Sequence, residues 1–79
     1  MATHPAAQPH LQAAEHHRAA ADNHELAAKS YDLGDHGQAA HYALLAQAHA
    51  LHARGYMSDA AKIHAAQHGG NISHTLRDR

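Results

Sequence analysis

Twelve of the 79 residues are histidine and none is cysteine. Imidazole titrates near neutrality in water, and its neutral form is the commonest metal ligand among side chains. The chemistry open to this chain is therefore ligation of a transition metal or a proton-driven change of packing. The sharpest arrangement is His64 with His68. On a helix a spacing of four puts both imidazoles on one face, within chelating reach of a single ion. His49 and His52, three residues apart, form a second, similar but less specific pair. These four are the candidate metal ligands. Each pair needs further ligands from elsewhere, so the deciding observation is whether another imidazole or a carboxylate converges on them. Zinc, copper and nickel suit imidazole donors, whereas magnesium and calcium do not.

The remaining histidines invite different readings. His10, His17 and His24 recur every seven residues, about 10.5 Å apart along a helix, so no two of them chelate together. Their helical neighbours are mostly alanine, and any site there must recruit ligands from another helix or chain. As interface residues they would act as polar register marks, as buried polar groups do in coiled coils, and that reading is preferred for this trio. His41 and His52 lie within about 20° of one face but about 16 Å apart along the axis. With Leu44, Leu45, Ala48 and Leu51 they define a semi-apolar face on which each imidazole is a packing residue. His4, His36 and His74 fall in arm, turn and tail, where solvation is the expectation.

Several chemistries lack their residues. No H-E-x-x-H occurs, because His24-Glu25 is followed by Ala28 at the second histidine position. No Glu-x-x-His occurs either, which removes the di-iron carboxylate pattern of ferritin-like bundles. Without cysteine there is no thiolate nucleophile, zinc ribbon or covalent haem attachment. Neither a phosphate-binding glycine loop nor a G-x-S-x-G elbow is present. The expectation is that the chain is not an enzyme.

Helices must position these imidazoles. From His10 the pattern H-x-x-A-A repeats at His10, His17 and His24, with Tyr31 in the next histidine position. Glu15, Arg18, Asp22, Glu25, Lys29 and Asp32 fall on one strip with opposite charges three or four apart, which marks a solvent face. Opposite it runs the ridge Ala13-Ala20-Ala27, small enough for close approach by another helix. A seven-residue period favours left-handed, near-antiparallel packing. Gly34 is placed to end this first helix. Asp35 with Gln38 resembles a capping box for a second helix, running to about Arg54 and stopped by Gly55. Ser58 or Asp59 could cap a shorter third helix ending at Gly69-Gly70. Residues 1–8 read as a flexible arm, 9–70 as the helical domain and 71–79 as a flexible polar tail.

The segment Ala27-Ala28-Lys29-Ser30-Tyr31-Asp32-Leu33-Gly34-Asp35, followed by Ala39 and Ala46, is similar to one tetratricopeptide-type helical hairpin. It shares that family's glycine–aspartate turn and its small residues on the second helix, while the larger signature positions match only in part. The whole chain also resembles small histidine- and alanine-rich bacterial proteins of unknown function. The first resemblance implies a helical hairpin, and neither supplies a role.

Alanine dominates the apolar 44% of the chain, which has no Val, Phe or Trp. Small domains with so few large apolar side chains usually add a disulfide, a metal or a partner chain. Disulfides are impossible here, leaving metal or self-association. The formal charge of −1 offers no steering toward nucleic acid or a membrane. Adding a proton to all twelve histidines takes that −1 to +11, so acid should weaken any packing that buries neutral imidazoles. The N-terminal residues have neither the basic start nor the apolar stretch of a signal peptide, and a cytoplasmic location is the default. The fold expected is all-α: an antiparallel helical hairpin plus a shorter third helix, completing a coiled-coil-like bundle as a homo-oligomer. Two functions remain open. One is reversible binding of zinc, copper or nickel for buffering, storage or sequestration. The other is a helical interaction module whose histidines are packing or pH-sensitive interface residues.

Overall fold

The computed structural model of the protein describes residues 4–68. The polar tail assigned to 71–79, His74 within it, and the Gly69-Gly70 stop lie outside the described residues. Two helices, α1 (Ala7–Asp32) and α2 (His36–His68), pack along their lengths as a hairpin.

The connection is built by local hydrogen bonds. Gly34 has φ +81°, a left-handed conformation that costs a side-chain-bearing residue free energy and glycine little. Its N–H donates to the Tyr31 carbonyl at 3.0 Å, and the Asp35 N–H donates to the Ser30 carbonyl at 2.8 Å. This is the paired bonding of a Schellman ending, which satisfies carbonyls that the helix leaves free. Asp35 then starts α2, its Oδ1 accepting from the Gln38 N–H at 3.0 Å. Only half of the expected capping box forms. The Asp35 N–H is already committed to Ser30, and the Gln38 side chain donates instead to the Tyr42 hydroxyl at 3.1 Å.

The core is a seam of alanine. Ala6, Ala13, Ala20 and Ala27 from α1 and its N-terminal approach are buried, as are Ala39, Ala46, Ala53 and Ala60 from α2. Both sets repeat every seven residues, so the inward stripe stays at the interface if the helices wind gently around each other. Three residues after each alanine lies a second inward column. On α1 it is Pro9, His16, Asn23 and Ser30; on α2 it is Tyr42, His49, Tyr56 and Ile63, all at least half-buried. The larger side chains of α2 thus cover the smaller, polar ones of α1. His16 meets His49, and that register brings Ala13, Ala20 and Ala27 level with Ala53, Ala46 and Ala39. The charged strip from Glu15 to Asp32 faces solvent, as its spacing requires.

Three expectations are corrected. No third helix exists among the described residues, because α2 passes through Gly55 without a break. An exposed glycine inside a helix costs about 1 kcal/mol relative to alanine, and here the seam continues across it from Ala53 to Ala60. Helical packing on both sides outweighs the local cost. Secondly, α1 starts at Ala7 rather than Pro9. Pro9 sits buried in the first turn, where an N–H has no intrahelical acceptor to lose. Finally, the semi-apolar face of α2 is not the packed one. Leu44 and Leu51 are 66% and 57% exposed, while Ala46 and Ala53 are fully covered. The alanine ridge of α1 is consumed by α2 within the same chain, so it offers no surface to a second copy.

Candidate functional site

The histidines that the structure gathers fall at two levels of the hairpin. Midway along, the second inward column of α1 carries His16 between Ala13 and Ala20. That position aims its ring at α2, where His49, His52 and Tyr56 occupy two successive turns. The Nδ1 atoms of His16 and His49 lie 2.8 Å apart, a hydrogen bond between the helices. The His16 ring also stacks on His52 at 5.0 Å between centroids and on Tyr56 at 5.6 Å. His16 and His49 are half-buried, and His52 is exposed at the edge. Beside them Leu51, His52, Gly55, Tyr56 and Asp59 line an open groove of about 270 Å³.

The second group lies at the open end of the hairpin. His64 and His68 have ring centroids 4.8 Å apart, as their spacing of four on one helix requires. The chain before α1 brings His4 over them, stacked on His68 at 6.1 Å. His4 is itself held by its Nδ1, which accepts from the Ala6 N–H at 3.1 Å. His10 and His64 line one shallow groove with Ala6, Met57, Ala60 and Ala61.

All four sequence-selected ligands are therefore placed on α2, but as two separate pairs. His49 and His52 gain His16 as a neighbour; His64 and His68 gain His4. Among the described residues, no group of three or more His, Asp or Glu side chains is placed to hold a metal ion. His10, His17 and His24 are exposed along the flank of α1. His41 is exposed next to Tyr42, and His36 lies against Tyr31 across the turn at 5.8 Å.

The residue that sequence reasoning missed is His16. Its neighbour His17 belongs to the conspicuous H-x-x-A-A repeat and masks it. The signal was available: His16 is three residues beyond Ala13, in the same seven-residue column as Pro9, Asn23 and Ser30. In a coiled coil that offset from a packed column is itself a packed column.

The molecule is thus a two-helix antiparallel hairpin with an alanine seam, crossed midway by a hydrogen-bonded imidazole pair. Comparison with protein-family models, with curated proteins and with solved structures finds no match. No described helix is long and apolar enough to cross a membrane.

Proposed function

We propose that this chain is a non-enzymatic helical interaction module that works as an assembly of its own copies. One observation carries the reading: the described leucines lie outside and the seam is alanine. Leu33, Leu44, Leu11 and Leu51 are 85%, 66%, 59% and 57% exposed, and no large side chain among the described residues is fully buried. An alanine methyl contributes about 0.8 kcal/mol on burial, against about 1.5–3 kcal/mol for a leucine. A hairpin that buries the weaker set and exposes the stronger has its remaining driving force on its surface. A second hairpin laid along Leu44 and Leu51 would cover it. Sedimentation equilibrium of the unmutated chain should give a multimer, and Leu44→Gln/Leu51→Gln should shift it to the monomer with reduced helicity. A stable, fully helical monomer for the unmutated chain would end this reading.

A second reading, reversible binding of zinc, copper or nickel through imidazoles, is supported by the approach of His16 to His49 and His52. The role would be buffering, storage or sequestration. Its first requirement is a saturable, chelator-reversible metal complex of defined stoichiometry, measured by native mass spectrometry. An absence of any bound ion at micromolar zinc, copper or nickel would remove it.

A further inference from the structure

We infer that the seam pair His16 and His49, not the helical pair His64 and His68, is the primary transition-metal site of this hairpin. The inference rests on the metal-binding reading above and names the ligands for it.

Donor spacing favours the seam pair. A tetrahedral zinc ion binds imidazole nitrogen at 2.0–2.1 Å, which sets two donor nitrogens about 3.3 Å apart. The His16 and His49 Nδ1 atoms are 2.8 Å apart and face each other. Converting the hydrogen bond into a chelate takes an opening of roughly half an ångström and a turn of each ring by about 35°, so that both lone pairs point at the ion rather than at each other. The two donors come from different helices and are both half-buried in the seam. Their side chains are already ordered by packing, so less conformational entropy remains to be lost on binding. His64 and His68 share only one helix turn, and both are exposed, so their ordering must accompany the ion.

A hydrogen bond between two neutral imidazoles requires one ring with its proton on Nδ1 and the other with it on Nε2. For both Nδ1 lone pairs to reach an ion, the donor ring must carry its proton on Nε2 instead. That is a change of tautomer mediated by solvent, with no net loss of a proton from the neutral pair. His52, stacked on His16 one turn further along α2, would reach the ion as a third ligand only after its side chain rotates, since no three described ligands stand together in the hairpin as folded. Water completes the shell, as in zinc sites with three protein ligands. An ion bound at this point joins the two helices and stabilises the hairpin through mass action.

The test is calorimetric titration of the full chain with Zn²⁺ at pH 7.5, run alongside His16→Gln, His49→Gln and His64→Gln/His68→Gln. Circular dichroism of each variant establishes that it remains helical. The expected result is a saturable site weakened by at least about tenfold, equivalent to 1.4 kcal/mol, in each seam variant. The His64→Gln/His68→Gln protein should keep it. Nitrogen-15 spectra of the zinc-loaded unmutated chain should show both His16 and His49 protonated on Nε2. Loss of the site in His64→Gln/His68→Gln, with retention in His16→Gln, would overturn the seam assignment while leaving metal binding intact. No binding by the unmutated chain would overturn both. If a seam variant unfolds, the nitrogen-15 spectra decide alone: unchanged His16 and His49 signals on zinc addition would refute the site.

Discussion

His16 and His49, 33 residues apart in sequence, meet Nδ1 to Nδ1 at 2.8 Å across the hairpin. The contact joins the middle of one helix to the middle of the other and marks their register. It also makes the two rings chemically unlike, because only one can donate. An imidazole pair used this way is a polar mark beside the alanine columns, where sliding by seven residues would superpose alanine on alanine. Buried polar groups serve the same purpose in coiled coils.

Replacing Gly55 tests the continuity of α2. An added Cβ there meets nothing within 4 Å, and the position is helical. Gly55→Ala should stabilise the protein by about 0.5–1 kcal/mol, a rise of several degrees in thermal melts of a chain this size. A lower melting temperature would place a break at Gly55.

The turn makes the opposite prediction for the other glycine. Gly34→Ala also meets open space, but its φ of +81° is unfavourable to alanine. A loss of about 1 kcal/mol is expected. Asp35→Ala should cost a similar amount, about 0.5–2 kcal/mol, through loss of the cap on Gln38. Urea titration of both variants checks this, and unchanged midpoints would show that the turn contributes nothing to stability.

Enlarging the seam separates inside from outside. Ala46→Leu should destabilise by about 1–3 kcal/mol because a fully covered position has no room for the larger side chain. Leu44→Ala, two residues away, should leave the melting temperature of the monomeric hairpin nearly unchanged while weakening association between copies. Denaturation at two protein concentrations, with sedimentation of each variant, distinguishes the effects. If Leu44→Ala proves the more damaging in the monomer, the inward face has been misassigned.

Much of the first helix was legible before folding. The charged strip, the Ala13-Ala20-Ala27 ridge, the Gly34 stop and the Asp35 start each follow from local geometry: helical period, φ preference, or one side chain capping one N–H. The second helix was less legible for a related reason. Local rules read Gly55 as a terminator and the leucines as the buried face, since glycine lowers helix propensity and leucine gains most from leaving water. Tertiary structure reversed both. Once alanine recurs every seventh residue on both strands of the hairpin, the two helices can approach along those columns. The resulting continuous contact carries α2 through Gly55 and turns Leu44 and Leu51 outward. Only that pairing brings His16 to His49, because a contact across 33 residues depends on the register between two helices, which neither helix contains alone.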